Sequence, residues 1–98
     1  MENKVIKIYK TNIFDKWFED QNLDVQDNIK DRLKRVEEGN FGNHKSVGNG
    51  VFELKAKNPT YRIYYKHKNN IVIILLCGGD KSTQSKDIKR AKEIANEV

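Results

Sequence analysis

The chain has 98 residues, of which 34% are charged and 37% hydrophobic, and its formal net charge is +5 at pH 7. This length supports one modest hydrophobic core, so we expect a single domain spanning residues 1–98. No apolar run approaches the roughly 20 residues of a membrane-spanning helix, and the N-terminus lacks the apolar core of a signal peptide. We therefore expect a cytoplasmic domain with no membrane partner. The positive charge favours a polyanionic partner, either nucleic acid or an acidic protein segment.

The composition also bears on disulfides, metals and cofactors. The single cysteine, Cys77, excludes an internal disulfide, and its place in the most apolar run predicts a buried thiol. One cysteine and two isolated histidines, His44 and His67, cannot supply the four ligands of a structural zinc site. The sequence has no Walker loop, no G-x-S-x-G motif and no aspartate-rich calcium loop. We therefore expect neither a metal nor a cofactor.

The N-terminal part predicts a strand and two helices. Residues 5–10 form a short strand, expected at an edge of the sheet. Asn12 is expected to cap a first helix, and Asp24 a second. The apolar residues of the second helix recur at spacings of four, four and three, and Gly39 follows as a stop; they are Val25, Ile29, Leu33 and Val36. We expect the two helices to form an antiparallel hairpin over the sheet.

The opposite side of the second helix is basic. It carries Lys30, Arg32, Lys34 and Arg35. We expect these side chains to be exposed, either as a solvated helix face or as a patch that meets phosphates or the ribosome. Residues 40–50 then contain three glycines and three asparagines, which predicts a connecting loop that holds His44 and Lys45.

Two runs with a period of two follow the loop. In the first, Phe52 and Leu54 alternate with Glu53 and Lys55, and the second, residues 61–66, alternates in the same way. Pairing the runs as a hairpin through residues 58–60 places both apolar sets on one face. The opposite face then carries Lys55, Lys57, Arg62, Tyr64 and Lys66. A third run, residues 71–77, is almost wholly apolar, as in a strand covered on both sides.

A polar elbow, residues 78–84, and a last helix end the chain. The elbow contains Lys81 and Gln84, so Lys81 can lie near Lys55 and Arg62. Such a group of cations can stabilise the extra negative charge that develops when a phosphodiester is cleaved. RNA supplies its own nucleophile, the 2′-hydroxyl, so this chemistry needs charge clamps and a proton acceptor but no metal. The alternative is a solvated basic sheet face.

Three segments, in this order and spacing, make the chain similar to a known superfamily. They are E-L-K at 53–55, Y-R-I-Y at 61–64 and G-G-D-K-S-T-Q at 78–84. Together they resemble the RelE/ParE toxins of toxin–antitoxin systems, and within them the HigB-type, phage Gp49-like "addiction module killer" branch. The resemblance covers nearly the whole chain. It implies a small α+β, microbial-ribonuclease-like fold: an N-terminal strand, a two-helix hairpin, a mostly antiparallel sheet of about four strands and a C-terminal helix.

The resemblance also implies roles for individual residues. Lys55, Arg62 and Lys81 occupy the positions of the basic residues that bind the scissile phosphate in an mRNA endoribonuclease acting at the ribosomal A site. Glu53 stands where the founding toxins have a lysine, and it is either a general base or part of a structural ion pair. The tyrosine of their last helix region is replaced here by Lys86-Asp87. Further RNA contacts are expected from Lys45, Lys57, Tyr64, Lys66 and Gln84, although Gln84, like Asp87, could instead orient its neighbours or cap the helix.

The expected partners are mRNA, the ribosome and a cognate antitoxin, commonly a helix-turn-helix repressor in this branch, with operator DNA reached only through the antitoxin. Two other functions stay open on the sequence. ParE-type toxins of the same fold poison DNA gyrase and cleave nothing, and an inactive toxin fold would only bind its antitoxin. Both would keep the fold without the nuclease site.

Overall fold

A computed structural model describes residues 5–56 and 60–98 of the chain. Five strands, three α-helices and one 3-10 helix lie within these residues, in the order β1 (Lys7–Lys10), α1 (Asn12–Glu19), α2 (Leu23–Glu37), β2 (His44–Gly48), β3 (Val51–Lys55), β4 (Tyr61–His67), β5 (Val72–Asp80), the 3-10 helix (Lys81–Thr83) and α3 (Gln84–Ala95). The strands form one sheet in the order β1-β5-β4-β3-β2. Strand β1 runs parallel to β5, and the other neighbours are antiparallel. The α+β class and the edge position of the first strand are therefore confirmed.

The sheet separates two apolar layers, because alternate residues of each strand point to opposite faces. On one face, Phe14 of α1 and the predicted stripe of α2 pack against Leu54, Ile63 and Leu75. On the other face, α3 covers Val51, Tyr64, Leu76 and Cys77 through Ala91 and Ile94. Both helices of the N-terminal pair thus lie on the same face of the sheet, opposite to α3.

The N-terminal caps of α1 and α2 lie earlier in the chain than expected. Thr11, not Asn12, caps α1, and its hydroxyl accepts a hydrogen bond from the Phe14 amide. The same hydroxyl donates to the carbonyl of Leu76, which ties the start of α1 to β5. Asn22, not Asp24, caps α2 by accepting from the Val25 amide. In both cases the residue just before the helix accepts a hydrogen bond from an amide of the first turn, which has no acceptor within the helix.

The strand count and the burial of one arginine differ from the sequence prediction. Residues 44–48 form strand β2, where the glycines and asparagines around them had predicted a loop. Arg32 is only 6% exposed, so the expectation that it lies on the solvated side of α2 is wrong. Its guanidinium donates through Nε to the carbonyl of Lys55 and through Nη2 to the carbonyl of Phe41. These backbone acceptors explain why the arginine is buried.

Strand β5 runs through both glycines of the predicted elbow and ends at Asp80. A Cβ atom at Gly78 would lie 2.4 Å from the Trp17 ring, so the missing side chain allows α1 to pack directly on the strand. Cys77, just before it, is buried, as predicted. Among the described residues, no helix combines the length and the apolar character needed to cross a membrane.

Candidate catalytic site

The site lies on the sheet face that α3 covers only in part. Lys55 of β3 pairs directly with Arg62 of β4, and Glu53 pairs with Tyr64. Because side chains alternate along a strand, these four residues share one face, as the period of two predicted. The face also includes Lys45, which pairs with Glu53 from the edge strand β2. Residues from three adjacent strands therefore converge on one carboxylate.

The carboxylate of Glu53 is fully buried and is the centre of the site. Its Oε2 atom accepts a hydrogen bond of 3.1 Å from the Tyr64 hydroxyl and one of 2.6 Å from the Gln84 amide nitrogen. The Nε atom of Arg62 lies 3.6 Å from the same oxygen, and Lys45 Nζ lies 3.9 Å from Oε1. A buried carboxylate is costly unless donors and an opposite charge compensate it. Here two neutral donors and two cations do so.

The tyrosine beside this carboxylate remains a hydrogen-bond donor. Burial raises the pKa of Tyr64 well above its ordinary value, and the charge of Glu53 and the hydrogen bond to it raise this pKa further. The ring is fully buried, so it offers no exposed face on which a base could stack. The structure thus places Tyr64 beneath the site as a support for Glu53.

Arg62 is held from two sides. Besides the ion pair with Glu53, its Nη1 atom donates to the carbonyl of Thr60 at 3.2 Å. The same carbonyl accepts from the backbone amide of Lys81 at 2.8 Å. The elbow that carries Lys81 is therefore anchored two residues from Arg62, and the Lys81 residue itself is exposed. Lys55, Arg62 and Lys81 thus come from one region of the molecule.

The elbow is shaped by a small hydrogen-bond network. Asp80 accepts from the amide and hydroxyl of Ser82, and these bonds hold the pKa of its carboxyl below the usual range. Thr83 donates to Asp87 Oδ2 at 2.5 Å. A Cβ atom at Gly79 would lie 1.8 Å from that oxygen, so the carboxylate rests directly on the backbone of Gly79.

Asp87 is a functional candidate for which sequence reasoning had only a capping or orienting role. Gly79 pairs with Arg62 across strands β4 and β5. Asp87 therefore lies on the β5 side of Arg62, and it remains partly accessible to solvent, unlike Glu53. The sequence shows only that this carboxylate lies in the first turns of the last helix; the packing of α3 on β5 shows that it meets Gly79.

Several other predicted site residues have structural contacts. Gln84 begins α3 and binds Glu53 instead of facing solvent. Lys66 donates to the carbonyls of Ala95 and Val98, so it holds the end of α3. Lys57 lies outside the described residues. In residues 5–56 and 60–98, no group of three or more histidine, cysteine, aspartate or glutamate side chains is arranged to bind a metal ion.

Comparisons with known proteins assign the chain to a family. Residues 16–98 match the model of the family described as "Phage derived protein Gp49-like (DUF891)". An uncharacterized protein of Haemophilus influenzae is 50% identical over 95 residues, which cover 95% of this chain and 96% of the relative. The family match includes every residue of the site.

Solved structures share the fold at low sequence identity. A double mutant of Escherichia coli toxin RelE in the free state superposes with a TM-score of 0.66 at 17% identity, covering 88% of this chain and 97% of the toxin. RelE in the intact RelBE toxin–antitoxin complex gives a TM-score of 0.62 at 17% identity, with 76% and 95% covered. A conserved hypothetical protein of Helicobacter pylori gives 0.51 at 15% identity, with 81% and 98% covered.

The fold is therefore RelE-like, and its sheet is mixed and five-stranded. The family match extends over most of the chain, from α1 to the last residue, and includes the converging strands and the elbow. The chain is a member of the phage-derived, Gp49-like protein family.

Proposed function

We propose that this protein is the toxin of a type II toxin–antitoxin system, of the HigB type, and that it cleaves mRNA on the ribosome without a metal ion. The observation that carries the proposal is the Lys55–Arg62 pair, which lies on one sheet face and is held in place by buried Glu53. An arginine fixed in this way is preorganised to bind a phosphate, because its geometry is set before the substrate arrives. The RelE-like fold and the Gp49-like family support the proposal.

The reaction would be a transesterification within the RNA. The 2′-oxygen attacks the adjacent phosphorus, the bond from phosphorus to the 5′-oxygen breaks, and a 2′,3′-cyclic phosphate and a 5′-hydroxyl result. Arg62 and Lys55 would bind the non-bridging oxygens, whose negative charge increases in the transition state. Lys81, exposed at the elbow, would supply the proton for the leaving 5′-oxygen.

The proton acceptor we assign is Asp87, not Glu53. Glu53 is enclosed on all sides and its Oε2 atom is occupied by Tyr64, Gln84 and Arg62. It therefore acts as a positioning residue that orients Arg62. Asp87 lies over Gly79, next to Arg62, and it is partly accessible, so it can reach a 2′-hydroxyl bound at the cationic pair. A general base must lie within hydrogen-bond reach of the proton that it removes.

The same proposal includes an antitoxin as partner. RelE, which shares this fold, has been solved in complex with its antitoxin and with an antitoxin peptide. We expect the cognate antitoxin of this chain to be a helix-turn-helix repressor that links the toxin to operator DNA. Co-expression with the neighbouring gene product and co-purification would test this partner.

The deciding experiment is primer extension on a defined mRNA in a cell-free translation system, with purified protein and with ribosomes present or withheld. We expect cuts that are phased with codons and that require ribosomes. Cuts without ribosomes would keep the nuclease and remove the ribosomal mechanism. Intact mRNA together with unimpaired translation would overturn the proposal and would direct attention to DNA gyrase, which a supercoiling assay would examine.

A further inference from the structure

A basic pocket of about 320 Å³ opens at the end of β3, beside the proposed catalytic face. Arg32 and Arg35 of α2 line one side, and Asn40, Gly42 and Asn43 of the following loop line another. Lys55 closes the pocket, and the same residue pairs with Arg62 in the sheet. Two arginines thus meet the end of β3 around one opening, and its lining includes no acidic residue.

The pocket is built by buried, specific contacts. Arg32 is almost fully buried, and its two bonds to the carbonyls of Lys55 and Phe41 hold the guanidinium in place. Gly42 has a positive φ of 54°, and a Cβ atom there would lie 2.6 Å from Arg32 Nη2. A glycine is therefore needed for the loop to approach the arginine so closely. The loop is joined to β3 by a hydrogen bond from the Lys55 amide to the carbonyl of Asn43.

The charges in this pocket are unbalanced. Burial lowers the pKa of Arg32, and the nearby charge of Arg35 lowers it further. Two guanidinium groups held this close repel each other, and a bound anion would relieve that repulsion. The planar guanidinium fork matches the geometry of a phosphate group, and the asparagine amides can donate to its remaining oxygens.

We propose that this pocket binds a backbone phosphate of the RNA substrate, one that is not cleaved. The inference rests on the function proposed above and adds a second subsite to it. Lys55 contributes its backbone to the pocket and its side chain to the face that carries Arg62, so an RNA strand that passes over the end of β3 would join the pocket to the scissile phosphate. Phosphate contacts fix the position of a nucleic acid without reading its sequence. The pocket would therefore set which phosphate reaches Arg62.

Arg35 is the residue to test, because it is exposed and its side chain forms no hydrogen bond or ion pair with another described residue, whereas two backbone carbonyls hold Arg32. The experiment measures binding of a 2′-O-methylated single-stranded RNA, which cannot be cleaved, by fluorescence anisotropy over a series of salt concentrations. The variant is Arg35→Gln. The matched control is Arg90→Gln, an exposed arginine of α3 whose pocket also contains Asp20.

Each phosphate contact in a single strand contributes about 0.7 to the slope of log K against log salt concentration. We expect Arg35→Gln to reduce the slope by about that amount, and Arg35→Lys and Arg90→Gln to keep it. If Arg35→Gln binds the RNA as tightly as the wild type does and with the same salt slope, the second subsite is overturned and the nuclease proposal stays intact. If Arg35→Gln lowers the salt slope for binding of an acidic peptide but not for binding of the RNA, the phosphate subsite is overturned and the pocket is reassigned to a protein partner.

Absence of RNA binding by the wild-type protein at low salt would also overturn the subsite. The nuclease proposal is then decided separately, by primer extension on programmed ribosomes, so the two failures remain distinguishable. Circular dichroism of each variant shows whether the fold is intact.

Discussion

Glu53 and Arg62 form an ion pair that crosses the sheet diagonally. Their neighbours in register are Tyr64 and Lys55, respectively, yet Arg62 Nε lies 3.6 Å from Glu53 Oε2. In the sheet register, Lys55 therefore lies opposite Arg62 and not opposite Glu53. Both Lys55 and Arg62 can therefore bind an anionic ligand, although only Arg62 of the two is paired with the carboxylate of Glu53.

Replacing Arg62, which is buried beside Glu53, should impair catalysis strongly even when the positive charge is kept. We expect Arg62→Lys to lower the cleavage rate on programmed ribosomes by about 10²- to 10³-fold, because the lysine keeps the charge but loses the fixed fork. Arg90→Lys is the matched control and should cleave normally. If expression of Arg62→Lys arrests growth as strongly as expression of the wild type, the catalytic role of Arg62 is wrong.

Removing the carboxylate should destabilise the fold. Glu53→Ala leaves Arg62 with its nearest buried counter-charge gone, and we expect the free energy of unfolding to fall by about 3–5 kcal/mol. Urea titration measures this change. The control Glu93→Ala removes an exposed carboxylate of α3 and should cost less than about 0.5 kcal/mol.

The hydroxyl of Tyr64 gives a milder test of the same network. Tyr64→Phe keeps the buried ring and removes the donor to Glu53. We expect a loss of about 1 kcal/mol and a measurable decrease in cleavage rate, because Arg62 is then less firmly held. Equal stability of Glu53→Ala and Glu93→Ala, or of Tyr64→Phe and wild type, would contradict a compensated buried carboxylate.

The two glycines of β5 should respond differently to alanine. Gly79→Ala places a methyl group against Asp87 Oδ2, so we expect loss of cleavage comparable to that of Asp87→Asn. Adding Asp87→Ala to Gly79→Ala should recover stability but not activity. Gly78→Ala places its methyl group against the Trp17 ring and should lower the free energy of unfolding by about 1–3 kcal/mol. Normal cleavage by Gly79→Ala would remove Asp87 from the mechanism.

Alkaline pH should destabilise the protein through Cys77. Burial raises the pKa of this thiol from 9.0 to about 12, and Asp87 adds to the shift. The folded state keeps the proton while the unfolded chain releases it, so the stabilising contribution is complete below pH 9 and declines as pH rises towards 12.

The measurement compares wild type with Cys77→Ala in urea titrations between pH 8 and pH 10. The wild-type free energy of unfolding should decrease more steeply, by a difference approaching about 1.4 kcal/mol per pH unit. Tyr65, whose pKa burial raises to about 12, contributes equally to both proteins. Parallel pH profiles would mean that the thiol is accessible in the folded state.

The sequence predicted which side chains share the face of the candidate site, because that face depends on local alternation. A period of two in residues 51–55 and 61–66 determines which side chains share a face once the strands pair, so Lys55, Arg62 and Tyr64 were assigned together. It also predicted the core stripe of α2, since 3.6-residue periodicity is equally local. Strand β2 was missed because residues 44–46 are all exposed and give no apolar signal.

The contacts that define the site could not be read from the sequence. Gln84 and Glu53 are 31 positions apart, and Arg32 and Lys55 are 23 apart. Only tertiary packing shows that Gln84 contacts a buried carboxylate or that Arg32 leaves the solvated side of α2. The position of Asp87 likewise depends on the absence of a side chain at Gly79, and in the sequence this glycine is only a turn signal.

The residues that contact Glu53 are far from it in the sequence, and this determines how the site forms again after denaturation. No hairpin or helix alone brings together Tyr64, Gln84 and Arg62; strands β3, β4 and β5 and the start of α3 must all be docked. Contacts between distant segments form late, since the entropy of closing the intervening loops must first be overcome. Under the proposed function, a newly synthesised chain should therefore become active only when the last helix has emerged and docked, so the nascent protein would not attack the ribosome that makes it.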